Sequence, residues 1–170
     1  QKLDCVAYGC TSGTIAAGYK TILEKVNLAK PKTKVTTPIT SAINAFKALK
    51  VNKISIFTLY TDEINQSLIN YFKRENIEIS NLSYFDIPSD LDIGKIDPNY
   101  LFETLVNIDL SKSDALFISC TALPVLSLIK DIEKKIGKII ISSNQVLIWD
   151  TLKHINFKNK ILNYGELFNN

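Results

Sequence analysis

Short apolar runs alternate along the chain with longer segments in which apolar side chains recur every three or four positions. The short runs predict buried strands over residues 3–8, 53–58, 77–85, 115–119 and 138–141. Strands that are apolar along their whole length are typical of a parallel sheet covered by helices on both faces. The chain is therefore predicted to be an α/β protein with a parallel sheet.

The longer segments predict amphipathic helices over residues 12–25 and from residues 38, 61, 97 and 120 onward. The second of these starts after Thr37, whose hydroxyl can cap the free amides, and Pro38 suits the first helical position. Gly137 is expected to end the last helix, since glycine readily adopts the left-handed conformation found after helix termini.

Polar side chains follow four of the predicted strands, at the edge where parallel sheets bind ligands. They are Gly9-Cys10-Thr11-Ser12-Gly13, Tyr60-Thr61-Asp62-Glu63, Cys120-Thr121-Ala122 and Ser142-Ser143-Asn144-Gln145. The first and third share the order of apolar strand, Cys-Thr and helix, which is a weak internal repeat. We therefore expect Cys10 and Cys120 to face each other across a cleft.

Two thiols at strand ends can carry chemistry. A thiol at a helix start feels the helix dipole, which lowers the pKa of a cysteine and favours the thiolate, and nearby backbone amides can hold a carboxylate. One thiol could then add to a double bond while the other donates a proton, or both could exchange protons. The competing interpretation is inert packing, which we accept for Cys5 and which pattern alone favours for Tyr60.

Composition narrows the function classes. The 170 residues suit one domain, and no apolar run reaches the roughly 20 residues of a membrane helix, so a soluble protein is expected. Three cysteines without a recognisable leader predict reduced thiols in the cytoplasm and disfavour a periplasmic receptor. The net charge of +3 and the absence of a basic stripe argue against a nucleic-acid partner.

Four segments carry a family likeness: VAYGCTSGTIAAG, VTTPITSAINAFKALKVNKISIFTLYTDEIN, DALFISCTALPVLSLI and IISSNQVLIWDTL. They resemble the aspartate/glutamate racemase superfamily, in the branch of maleate cis-trans isomerases, arylmalonate decarboxylases and ectoine-utilisation racemase-like proteins. The likeness implies parallel-sheet lobes related by a pseudo-two-fold. A single unit over residues 1–170 would have approximate lobes of 1–38 with 144–170, and of 39–143. The family's first strand and helix, including an Asn that touches substrate, are missing, so Gln1 is expected to be a cut edge.

The resemblance also assigns the reacting groups. Cys10 and Cys120 match the paired catalytic cysteines, and the family uses no cofactor and no metal. In the decarboxylases the first cysteine is a glycine, so Cys10 points away from simple decarboxylation. Thr121 falls where a backbone amide serves the pocket.

The remaining assignments concern the substrate. Thr11 and Ser12 match the pair that holds a substrate carboxylate, and Tyr60 matches a tyrosine whose hydroxyl binds the same group, which replaces the core interpretation. Asp90 stands where the isomerases carry a substrate-binding Asn. An anionic side chain at that position disfavours a second carboxylate, and with it maleate.

The sequence thus predicts a cofactor-independent isomerase of a small (di)carboxylic acid, similar to the maleate cis-trans isomerases. Two alternatives stay open: an amino-acid racemase that uses two-base proton transfer, and a non-catalytic relative that binds carboxylates. The expected partner is the small carboxylate substrate, and the resemblance also allows a homodimer.

Overall fold

The computed structural model describes residues 3–169, and the chain forms two parallel sheets with helices packed on them. Gln1, the expected cut edge, lies outside the described residues. The strands are β1 Cys5–Ala7, β2 Lys34–Thr36, β3 Lys53–Thr58, β4 Glu78–Tyr84, β5 Ala115–Ser119 and β6 Ile139–Ser142. The helices are α1 Thr11–Ala17, α2 Tyr19–Ala29, α3 Pro38–Leu49, α4 Asp62–Arg74, α5 Asp90–Ile93, α6 Pro98–Val106, α7 Ile129–Ile136 and α8 Ser143–His154.

The smaller sheet pairs β1 with β2, and the larger has the order β4-β3-β5-β6, with every pairing parallel. The register places Ile54 beside Ala115 and Ala115 beside Ile139. These features confirm the predicted α/β class with parallel sheets. The assignment of residues 1–38 with 144–170 and of 39–143 to two lobes stays a prediction.

The core lies around β3 and β5, which are buried along almost their whole length. The Phe117 ring on β5 packs edge-on against Phe46 and Phe72, with ring centroids 5.6 and 5.5 Å away. Such edge-to-face contacts add to the free energy of apolar burial, so they fix α3 and α4 against the same sheet. The strand ends that carry the candidate site are thus held by a rigid base.

Two local predictions near the chain start are wrong, and one strand was missed. The helix predicted over residues 12–25 is broken at Gly18, whose φ of +81° separates α1 from α2. Strand β2 was not predicted, because three residues are too short to show an alternating pattern. Thr37 precedes α3 without capping its amides, since its hydroxyl bonds to that of Thr40 at 2.8 Å.

The segment after Cys120 also differs from the prediction of an immediate helix. The chain passes through turns and Pro124, then through a 3-10 helix at Leu126–Leu128, and α7 starts only at Ile129. Proline cannot donate a backbone hydrogen bond and restricts the residue before it, which delays the helix. Within the described part of the chain, every helix is too short or too polar to span a membrane.

Candidate active site

The two cysteine loops are in direct contact at the carboxyl edge of the sheets. The Thr121 hydroxyl donates to the backbone carbonyl of Gly9 at 2.8 Å. Gly9 immediately precedes Cys10, and Thr121 immediately follows Cys120, so this bond brings the two loops together. The side chain of Thr121 is therefore engaged with the opposite loop rather than left free for a ligand.

Cys10 stands directly before α1 in an extended conformation and is half-buried. Its Sγ atom accepts a hydrogen bond from the Gly13 amide at 3.2 Å, and the Ser12 hydroxyl lies 3.7 Å from the sulfur. A Cβ atom at Gly13 would come within 2.9 Å of this sulfur, which is closer than packed atoms approach. The glycine thus keeps the space that the thiol occupies.

Cys120 follows β5 and is only 4% exposed. Burial raises the pKa of the Cys120 thiol above its ordinary value of 9.0, and the nearby Asp90 carboxylate raises it further. Hydrogen bonds from the amides of Ala122 and Leu123 oppose this shift without cancelling it. The expectation that a helix dipole lowers the pKa of Cys120 is wrong, because α7 starts nine residues later and the site is buried.

Tyr60 lies within the electrostatic reach of both thiols. Its ring is 8% exposed, and its phenol oxygen accepts a hydrogen bond from the Ser119 hydroxyl at 3.3 Å. Burial, followed by the charge of Cys120, raises the pKa of Tyr60, so the phenol stays protonated at neutral pH. A protonated phenol beside two sulfurs can donate a hydrogen bond to an anionic ligand.

Thr11 and Ser12 extend the polar lining on the Cys10 side. Thr11 is 2% exposed, and its hydroxyl pairs with that of Ser143 at 3.1 Å. Ser12 is half-buried and, with Gly13, borders a cavity of about 460 Å³ between α1 and α4. Ser143 was noted in the sequence only as one of several polar residues after a strand, with no role assigned.

Asp90 lies at the rim of the site. It is exposed and begins α5, a four-residue helix that the sequence pattern did not predict. A Cβ built on Gly94 would lie 3.6 Å from the Asp90 carbonyl oxygen and 3.8 Å from that of Ala122. The end of α5 therefore lies next to the Cys120 loop, and the charge of Asp90 acts on that thiol.

The structure brings most of the predicted residues together at the carboxyl edges of the two sheets. Cys10, Thr11, Ser12, Tyr60, Cys120 and Thr121 lie together there, with Asp90 at the rim. Over residues 3–169, no cluster of three or more histidine, cysteine or acidic side chains is arranged to hold a metal ion. The arrangement places neutral hydroxyl groups next to two sulfurs of different exposure.

Comparison with known proteins gives consistent matches. Residues 16–168 match the sequence model of the arylmalonate decarboxylase family. A maleate isomerase of Geobacillus stearothermophilus is 26% identical in an alignment of 174 positions that covers 98% of this chain and 69% of that protein. An arylmalonate decarboxylase of Bordetella bronchiseptica is 26% identical over 120 residues, covering 69% of this chain and 50% of that protein.

A solved structure has a fold similar to that of this chain. It is a variant of the Nocardia farcinica maleate cis-trans isomerase with a covalently bound succinylcysteine intermediate, and it superposes with a TM-score of 0.89 at 17% identity. The superposition covers 97% of this chain and 71% of that one.

Proposed function

Since this chain belongs to the arylmalonate decarboxylase family, we propose that it is a cofactor-independent isomerase that interconverts the cis and trans forms of a small unsaturated carboxylic acid. Membership confirms the resemblance drawn from the sequence. Relatives named maleate isomerases, similar over 98% of the chain, support isomerisation rather than decarboxylation. The reacting groups in this proposal are Cys10 and Cys120.

The observation that carries the proposal is the unequal surroundings of the two thiols. Cys10 is half-buried and its sulfur accepts the Gly13 amide, so it is open to a ligand and oriented as a nucleophile. Cys120 is buried, and burial raises the pKa of its thiol, so it holds a proton at neutral pH. One sulfur is thus suited to attack carbon and the other to supply a proton.

The chemistry balances without a co-reactant. The Cys10 thiolate adds to one carbon of the double bond, and the displaced electron pair moves onto the neighbouring carbon and its carboxylate. Cys120 protonates that carbon, which leaves a saturated thioether whose central bond can rotate. Cys120 then removes the proton, the carbon–sulfur bond breaks, and the trans double bond forms with both sulfurs restored.

Neutral donors are proposed to hold the substrate carboxylate. Thr11 and Ser12 supply hydroxyls on the Cys10 side, Tyr60 supplies its phenol proton, and the amide of Thr121 serves the other side. Such preorganised donors stabilise negative charge as it develops on the carboxylate during addition. Asp90 is proposed to face the far end of the substrate, where its charge disfavours a second carboxylate.

Trapping the thioether tests this proposal. In Cys120→Ser the carbanion takes its proton from water instead, but the group that removes this proton again is lost. Incubation with maleate or its monoamide should therefore leave a covalent adduct on Cys10, seen by peptide mass spectrometry. Cys10→Ser should form none, and Cys5→Ser should isomerise like the unsubstituted protein, as followed by NMR of the vinyl protons. Turnover that persists in both Cys10→Ser and Cys120→Ser would contradict the proposal.

A second experiment, with an amino acid in deuterated water, separates the racemase alternative. A racemase would exchange the α-proton of an amino acid with deuterium from solvent and would form no adduct. A binding protein without catalysis would show neither signal, although it would still be stabilised thermally by the acid.

A further inference from the structure

The two candidate reacting groups lie on different sheets. Cys10 follows β1 in the two-stranded sheet, whereas Cys120 follows β5 in the four-stranded sheet. Among the strands of residues 3–169, no pairing therefore sets the distance between the two sulfurs. Other contacts must therefore fix the position of the two loops relative to each other.

A first pair of hydrogen bonds runs from α8 to the loop that carries Cys120. The amide of Asn144 donates from Nδ2 to the backbone carbonyl of Thr121 at 3.0 Å. The hydroxyl of Thr121 in turn donates to the Gly9 carbonyl at 2.8 Å. The second residue of α8 thus reaches the Cys120 loop, and through it the residue before Cys10.

A second contact runs from the neighbouring residue of α8 to the loop that carries Cys10. Ser143 is fully buried, and its hydroxyl pairs with that of Thr11 at 3.1 Å. With the first pair of bonds this closes a ring, because Gly9 and Thr11 flank Cys10 and because Ser143 and Asn144 are adjacent. Both reactive loops are therefore tied to one helical turn.

That turn is itself held in place. The Ser142 hydroxyl accepts the Gln145 amide at 3.2 Å, and the Gln145 side chain accepts the Ser142 amide at 3.1 Å, which is a capping box. The Gln145 side chain also donates to the Tyr164 carbonyl at 2.6 Å. Helix α8 packs on both β1 and β6, so its start is a rigid reference between the sheets.

We propose that Ser143 and Asn144 are positioning residues that set the spacing of the two thiols. Asn144 holds the Cys120 loop and Ser143 holds the Cys10 loop, so that the first turn of α8 fixes both. The proposal rests on the proposed function only in taking these two thiols as the reacting groups.

The test measures thiol spacing directly, without any substrate. In a Cys5→Ser background, Cys10 and Cys120 are joined by bis-methanethiosulfonate reagents of increasing spacer length. Each thiol displaces methanesulfinate and forms a disulfide with the spacer. With residues 143 and 144 unsubstituted, we expect only a narrow range of spacer lengths to join the two thiols. We expect this range to broaden in Ser143→Ala and in Asn144→Asp. The second substitution keeps the shape of the side chain and removes the hydrogen-bond donor.

Matched controls lie far from the site. Asn27→Asp removes a similar amide donor, which bonds to the Leu23 carbonyl at 3.0 Å. Ser113→Ala removes a buried hydroxyl that pairs with Ser55 at 2.7 Å. Both controls should keep the narrow range of spacers even where their melting temperatures fall as much as those of the α8 variants.

Kinetics supply the second readout. The α8 variants should lower kcat about 10- to 100-fold with KM changed little, since small displacements of reacting groups act mainly on the chemical step. The positioning role is overturned if the spacer range of Ser143→Ala and Asn144→Asp matches the controls, or if both variants keep the kcat of the unsubstituted protein. If the range of spacer lengths broadens in the α8 variants but the unsubstituted protein isomerises no acid, the positioning role stands and the proposed function is rejected.

Discussion

Removing the hydroxyl of Tyr60 gives the sharpest test of the carboxylate site. In Tyr60→Phe the buried ring keeps its packing, and only the proton donor proposed for the substrate is lost. A hydrogen bond to a charged group contributes about 1.5–3 kcal/mol, so kcat/KM should fall about 10- to 150-fold. The comparison is made by NMR of cis-to-trans conversion at substrate concentrations below KM.

The change in stability should be much smaller than the change in activity. Ser119 loses an acceptor 3.3 Å away, but the variant no longer has to bury a phenol oxygen, so the net cost is about 1 kcal/mol or less. For a chain of this length the melting temperature should fall by no more than about 4 °C.

A matched control tests whether the loss of activity is specific to the Tyr60 hydroxyl. Tyr71 lies on α4 against Phe72, and Tyr71→Phe should leave kcat/KM unchanged. If Tyr60→Phe keeps kcat/KM within about twofold of the unsubstituted protein, no charge-assisted bond was lost. Tyr60 would then be a core residue, as the sequence pattern alone first indicated.

Three further predictions address the thiols and the rim. Because burial raises the pKa of Cys120 above 9.0, kcat/KM should decline only as the pH rises past that value, and a decline centred below it would refute Cys120 as the proton donor. Gly13→Ala should lower kcat about 100-fold by displacing the Cys10 sulfur. Its melting temperature should stay nearly constant, because alanine has the higher helix propensity. An unchanged kcat would show that this sulfur does not react. Asp90→Asn should lower KM for a dicarboxylate about tenfold through lost repulsion, an effect that added salt weakens. Asp92→Asn removes a charge that is already paired with a lysine, so it should leave this KM unchanged. Equal effects of the two substitutions would show that the position of the Asp90 charge does not matter.

Much of the site could be predicted because its residues follow strands with a strong pattern. The strands over 53–58 and 115–119 have these same bounds in the structure, and Tyr60 and Cys120 come just after them. Short apolar runs that alternate with amphipathic helices are typical of strands in a covered parallel sheet, and the polar residues after such strands lie at its carboxyl edge. The prediction of the sheet class and of this edge needed no knowledge of distances.

The roles of Ser143 and Asn144 could not be predicted in the same way. In the sequence they are two small polar residues among several after the last strand, more than 100 positions from Cys10. Their contacts with Thr11 and Thr121 depend on how α8 packs between two sheets. A pattern of apolar positions reports which side of an element is buried, and not which distant loop lies opposite it.

The shift of the Cys120 pKa is another property that the sequence alone did not predict. From the sequence, a thiol before a helix is expected to have a lowered pKa, and that reasoning considers one element alone. In the structure the helix starts only at Ile129, and desolvation by the surrounding elements dominates. The sequence by itself determined every strand except the three-residue β2, and with them the place of the two thiols after β1 and β5, because these follow from local patterns along the chain. Their spacing, their unequal exposure and their protonation were decided by tertiary structure, since burial and distance are properties of all the elements packed together.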